Sequence, residues 1–191
     1  MTPSSPVMPS PHRLSRLIDN PLRRFIIAPE KLVERLSLKG DERILELGPG
    51  SGYFSVHLAD AVPKGKLHLL DVQPQMLEKA KRKLQASGID NVAYTTLDAG
   101  GSFPFPDSHF DVAVMVSVLG EVANQRSCLD SLARVLRDNG LLAIHESIPD
   151  PDMISFDRLV ALVEPSGFAL SARTGPAWNY TALFSNAMRG Q

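Results

Sequence analysis

The chain has 191 residues, 43% of them apolar and 21% charged, which suits one soluble domain whose core needs no covalent staple. Twenty Lys/Arg against 21 Asp/Glu leave a net charge of -1, and Cys128 is the only cysteine; this argues against a protein held on nucleic acid by bulk charge and excludes an internal disulfide or a cysteine-based metal cluster. No apolar run reaches the roughly 18 residues of a membrane span, and the opening MTPSSPVMPSPH lacks the basic and apolar blocks of a secretory signal, so the expected home is the reducing cytoplasm.

Residues 1–11 carry Pro3, Pro6, Pro9 and Pro11 and little to bury, so they read as a flexible tail. Residues 12–191 read as a single domain, and 12–38 as an N-terminal helical cover. There Arg13, Arg16, Arg23 and Arg24 are mixed with Leu14, Leu17, Ile18, Leu22, Phe25, Ile26 and Ile27. Residues 1–40 sum to +4 and the rest of the chain to -5. A basic-apolar segment of this kind can touch an anionic membrane surface; the expectation preferred here is packing on its own domain.

From residue 41 two patterns alternate. Ile44–Leu47 is a short strand that runs into glycines, and Tyr53–Ala61 a helix. Lys66–Leu70 is a strand ending at Asp71. Pro74–Ser87 is a helix whose Met76, Leu77, Ala80 and Leu84 recur at helical spacing, with proline in its first turn and Gly88 after its end. Val92–Leu97 is a strand before Asp98. Asp111–Val118 is almost continuously apolar, as expected of a central parallel strand. Gln125–Leu136 is a helix, Asp138-Asn139-Gly140 a turn, Leu141–His145 a strand and Ile154–Val163 a helix. Gly167–Arg173 and Tyr180–Phe184 are strands separated by six residues, too few for a parallel crossover. Alternating strands and helices predict an open parallel sheet covered on both faces, closed by an antiparallel hairpin.

In such a sheet, ligands bind at the carboxyl ends of the strands. Four strand ends carry distinctive residues. Glu46-Leu47-Gly48-Pro49-Gly50-Ser51-Gly52 places glycines at alternate positions, so backbone can pass close to a ligand. Asp71 follows Gly52 by 19 residues and can accept from two ribose hydroxyls. Asp98 can accept from an adenine amino group, and Val116-Ser117-Val118-Leu119 can form one wall of a pocket. Structural uses stand beside each reading: a tight strand–helix junction for the glycines, a helix cap for Asp71, a turn for Asp98. Glu46 on an apolar strand requires a partner, and a ligand ammonium would be one. A dinucleotide fits less well. Its GxGxxG fingerprint would need glycine where Tyr53 stands, and a carboxylate beside a pyrophosphate is unfavourable.

The glycine motif, Asp71, Asp98, FPFPDSHFDVAVMVSVL and LRDNGLLAIHE, in this order and spacing, resemble class I methyltransferases that use S-adenosylmethionine. Within that class the chain is most similar to the small-molecule subgroup that includes ubiquinone/menaquinone methyltransferases. The resemblance implies a Rossmann-like, doubly wound α/β fold with a mostly parallel seven-stranded sheet and a C-terminal antiparallel hairpin. It implies that Glu46, Gly48, Gly50 and Gly52 surround the methionine part of the cofactor and that Asp71 binds the ribose. Val72 and Met76 would line the adenosine, Asp98 and Ala99 would address adenine, and Ser117 would lie beneath the sulfonium. Acceptor-side candidates are Glu121 and His145 as catalytic groups, with Glu146 next to the latter; as plain structure, Glu121 is a helix-start acid and His145 an interior histidine. The (D/N)PP(Y/F) motif of enzymes acting on DNA adenine or glutamine is replaced here by VSVLGEV, so the expected acceptor is a small molecule. Two alternatives remain: a non-catalytic protein that binds S-adenosylmethionine, and a dinucleotide-dependent oxidoreductase of the NAD type.

Overall fold

A computed structural model describes residues 28–187. The tail expected over 1–11, and residues 12–27 of the expected cover, lie outside this range. The cover is represented by α1 (Pro29–Leu36), which has proline in its first turn, Glu30 near its start, and Arg35 near its end.

The alternation read from the sequence holds from Arg43 onward. In chain order come β1 (Arg43–Leu47), α2 (Tyr53–Asp60), β2 (Lys66–Asp71), α3 (Pro74–Ala86), β3 (Val92–Thr96) and β4 (Phe110–Val116). They are followed by α4 (Gln125–Val135), β5 (Leu136–Ser147), α5 (Phe156–Val163), β6 (Phe168–Thr174) and β7 (Asn179–Asn186). The seven strands form one sheet in the order β3-β2-β1-β4-β5-β7-β6. β1 to β5 are parallel, and β7 runs antiparallel to both β5 and β6. The expected doubly wound α/β fold with a closing hairpin is therefore present. The final strand enters inside the hairpin's edge partner rather than outside it.

Strand alternation sends successive side chains to opposite faces, and each face has its own apolar core. Ile44, Leu67, Leu69, Val112, Val114 and Ala143 pack under α1, α2 and α3 through Leu32, Leu36, Phe54, Leu58, Leu77, Ala80 and Leu84. Leu45, Leu47, Ala113, Met115, Leu142, Ile144, Ala182 and Phe184 pack under α4 and α5 through Leu129, Leu132, Leu159 and Val163. The amphipathic spacing of α3 buries Met76, Leu77, Ala80 and Leu84 while its lysines stay outward.

Two boundaries differ from expectation. The Asp138-Asn139-Gly140 turn does not separate α4 from a new strand; β5 begins at Leu136 and absorbs the turn as a bulge, with Phe110 opposite Leu136 and Val112 opposite Leu141. α5 begins at Phe156, not Ile154. The amide of Ile154 donates to Glu146 Oε2 (3.1 Å), and its carbonyl accepts from the Tyr180 hydroxyl (2.7 Å). Those bonds hold Ile154 outside the helix. At the other end of β7, the Asn186 amide donates to the carbonyls of Ala133 and Leu136, both at 3.0 Å, and so ties the last strand to the α4–β5 junction. Among the described residues no helix is long and apolar enough to cross a membrane.

Candidate active site

β1, β2 and β4 deliver the motif residues to one end of the sheet. Beyond β1 the chain turns into α2 through Gly48, Gly50 and Gly52, with φ of 62°, 54° and 78°. These left-handed values are strained for residues with a β-carbon. Space adds a second requirement at two of them. A β-carbon on Gly48 would lie 2.6 Å from Val118 Cγ2, and one on Gly52 would lie 2.9 Å from the Ala80 backbone. The first glycine thus lets the β1 turn approach the segment after β4, and the last lets α2 approach α3. The Gly48 amide donates to the Leu70 carbonyl at 2.8 Å, fixing the turn beside the end of β2.

Asp71 stands at that end and is 7% exposed. Burial pushes its carboxyl above the usual value of 3.8, while backbone N–H groups of Gln73, Gly50 and Val72 pull the other way. The Gln73 contact is 2.8 Å to Oδ1. The carboxylate therefore joins the glycine turn to the loop after β2, which no sequence pattern signalled. Val72 next to it is 56% exposed, unusual for valine, whereas Met76 is buried on α3.

Glu46 is 3% exposed and points to the α1–α3 face. The Ser55 hydroxyl of α2 donates to its Oε2 at 2.6 Å. The fold itself thus supplies one hydrogen bond to this carboxylate, beside the ligand ammonium expected from the sequence. Asp98 is exposed, and its Oδ1 accepts from the Gly100 amide at 2.8 Å, a turn that also presents Ala99. Its turn role is real, and its exposure leaves it open to solvent and ligand alike. Ser117 follows β4 with φ of 53°, and its amide donates to the His145 carbonyl at 2.9 Å. The wall expected over 116–119 divides: Val118 closes on Gly48, while Leu119 is buried in the α4–α5 core.

The acceptor-side candidates lie on different faces. Glu121 is exposed and ends a single 3₁₀ turn, Leu119–Glu121. It is therefore not the start of an α-helix. His145 is fully buried on the α1–α3 face; its Nδ1 lies 3.0 Å from Thr181 Oγ1, which also accepts from Arg35 Nη1 of α1 at 2.5 Å. Burial, reinforced by the Arg35 charge, pushes its pKa down to about 4, so the ring is neutral at pH 7. Glu146 is 1% exposed on the opposite face and sits opposite Tyr180 in the strand register. Burial pushes its carboxyl up to about 7, the Ile154 amide opposes this, and the charges of Asp150 and Glu121 add to it. Among the described residues no group of His, Cys, Asp or Glu is arranged to hold a metal ion.

Comparison with known proteins adds three findings. Residues 44–140 match the methyltransferase domain family. The ubiquinone/menaquinone biosynthesis C-methyltransferases UbiE of Shewanella frigidimarina and Shewanella woodyi are 29% and 30% identical over 155 residues, 78% of this chain and 61% of theirs. The chain thus spans about three fifths of the length of these curated relatives. Among solved structures, an S-adenosylmethionine-dependent methyltransferase from Aquifex aeolicus superimposes with a TM-score of 0.82 at 24% identity, over 94% of this chain and 100% of that one. The cyclase SpnF superimposes with a TM-score of 0.74 at 18% identity, over 85% of this chain and 80% of its own. At these identities the likeness establishes the fold, and the cyclase is a reminder that one fold hosts several reactions.

Proposed function

This chain belongs to the methyltransferase domain family, and from that premise we propose that it transfers a methyl group from S-adenosylmethionine to a small-molecule acceptor. S-adenosylmethionine is the cofactor that family and fold imply. The observation that carries the reading is the union of the glycine turn with Asp71, through the Gly50 amide and the loop after β2. It gathers backbone and a buried carboxylate at a strand end, where a nucleoside's hydroxyls find acceptors and no phosphate is invited.

The residues fit the cofactor part by part. Glu46 would receive the ammonium group, sharing its carboxylate with Ser55. Gly48, Gly50 and Gly52 would let backbone lie against the methionine portion. Asp71 would take the ribose hydroxyls, exposed Val72 and buried Met76 would flank the adenosine, Asp98 and Ala99 would meet the adenine edge, and Ser117 would lie below the sulfonium. Bound there, the cofactor would supply an activated methyl group on cationic sulfur, a leaving group that would retain the bonding pair on transfer to the acceptor's nucleophilic atom. The protein's share is alignment and exclusion of water. A hydroxyl or acidic-carbon acceptor must also give up a proton, and Glu121, exposed beside the end of β4, is our candidate base. The name of the Shewanella relatives favours carbon as the receiving atom.

Calorimetry with S-adenosylhomocysteine and with NAD, followed by methyl transfer from labelled cofactor to a metabolite panel, tests the reading. Binding of S-adenosylhomocysteine without NAD, and labelled product from one acceptor, are expected. Binding of NAD alone would overturn it; cofactor binding with no product from any acceptor would favour a cofactor-binding protein without transfer activity.

A further inference from the structure

The Arg35–Thr181–His145 chain decides which imidazole nitrogen carries the proton, and so what the ring can bind. Arginine only donates, so one lone pair of Thr181 Oγ1 is committed to Arg35 Nη1. Among the described residues, the other partner of that hydroxyl is His145 Nδ1 at 3.0 Å. The second lone pair of that oxygen could also accept from an Nδ1–H, but this would leave the hydroxyl's own proton without a partner, so we assign that proton to Nδ1. A neutral imidazole that accepts at Nδ1 holds its own proton at Nε2. Among the described residues that Nε2 is buried with no hydrogen-bond partner, and so is the Ser147 hydroxyl, two residues further along the same face of β5. Buried polar groups are normally satisfied. Two unsatisfied ones on the same face, two residues apart at a strand's carboxyl end, point to a ligand there.

We propose that His145 Nε2–H, together with the Ser147 hydroxyl two residues on, holds an oxygen atom of the methyl acceptor. The proposal rests on the methyltransferase reading above. It places the acceptor over β5, on the same sheet face as Glu46 and two strands away, roughly 10 Å by strand spacing. The ligand class follows from the donors. Two donors, with the Arg35 charge behind Thr181, suit a carbonyl, enolate or phenolate oxygen and reject an ammonium group. In this role His145 grips and orients the acceptor, and the imidazole does not collect a proton.

Nitrogen NMR of the full-length protein tests the tautomer directly. Long-range proton–nitrogen spectra at about pH 7.5, with His145 assigned by its loss in His145→Gln, should give the Nε2–H form, and Thr181→Val should shift it toward a mixture. A predominant Nδ1–H tautomer, or a charged ring, overturns the proposal. Titration of the S-adenosylhomocysteine-loaded protein with p-nitrophenolate should move the His145 Nε2 signal saturably, nitrobenzene should not, and Ser147→Ala should weaken the response about three- to tenfold. No response, or an equal response to nitrobenzene, overturns the ligand role. Failure of S-adenosylhomocysteine to bind would instead count against the cofactor reading, since the tautomer measurement does not depend on it.

Discussion

Replacing Glu146 with glutamine should change how stability depends on pH, with a definite sign. The carboxyl is 1% exposed, and burial is the main reason its pKa rises from 4.5 to about 7. Such an acid holds its proton more tightly in the folded chain than in the unfolded one. Its contribution is therefore complete below pH 4.5 and is lost as pH rises through about 7. A gap of about two and a half pH units, at 1.36 kcal/mol each, sets a ceiling of about 3 kcal/mol. Local relaxation trims this, so about 2 kcal/mol is the expected effect. His145 works in the opposite direction. Its pKa falls from 6.5 to about 4, so its contribution is present above 6.5 and is lost as pH drops through 4. In the native protein the two slopes oppose each other between about pH 4.5 and 6.5. Glu146→Gln keeps an oxygen for the Ile154 amide and removes one slope. Urea unfolding should find variant and parent nearly equal near pH 4.5 and the variant about 2 kcal/mol more stable at pH 8. A variant that is less stable by the same amount at both pH values would refute the electrostatic account and leave only packing.

Asp71→Asn keeps an oxygen for the Gln73 amide but loses the charge, so S-adenosylhomocysteine affinity should fall at least tenfold in calorimetry with little change in melting; unchanged affinity would remove the ribose assignment. Asp71→Ala should also lower the melting temperature, because the glycine turn loses its anchor. Gly48→Ala should cost about 1–2 kcal/mol from its left-handed backbone alone, plus a clash with Val118; adding Val118→Ala should recover the second part in thermal melts, and no recovery would contradict the contact. Deleting residues 1–11 should leave affinity and turnover unchanged, whereas deleting 1–28 should depress methyl transfer and spare most cofactor affinity. Parallel loss of melting temperature and affinity in the longer deletion would make the segment a core plug, and full activity would refute the cover.

The elements most legible in the sequence were those whose pattern is local. β4 announced itself as an almost continuous apolar run, and α3 by helical spacing between Pro74 and Gly88. The glycine turn was legible because left-handed backbone selects glycine strongly. Ser117 shows the limit: it takes φ of 53° at the end of β4, and nothing about serine advertises that. The bulge in β5 escaped because a turn and a bulge use the same residues, Asn139 and Gly140, and only the pairing with β4 distinguishes them. The partners of the buried polar groups were not legible. Ser55 lies nine positions from Glu46 with no periodicity linking them, and Arg35 and Thr181 are 146 positions apart. Such contacts exist only once the sheet order is known, and that order places the last strand in an internal position.

That internal position has a consequence for how the chain is made. Strands β1 to β5 can assemble in the order in which they are synthesised, since each one after β1 has a neighbour among those already present. β6 cannot, because among the described residues its only sheet partner is β7, which is made after it. Until residues 179–186 are available, β5 presents a bare edge and the α4–α5 core lacks Tyr180, Ala182 and Phe184. An open edge beside exposed apolar surface is a template for pairing with another chain. Loss of the final strand would thus do more than shorten the sheet: it would leave β6 without a place and turn a folding intermediate into the end product. A chain stopped before Asn179 should accumulate as aggregate, while one stopped after Ala187 keeps every described strand and the Asn186 amide that fastens β7.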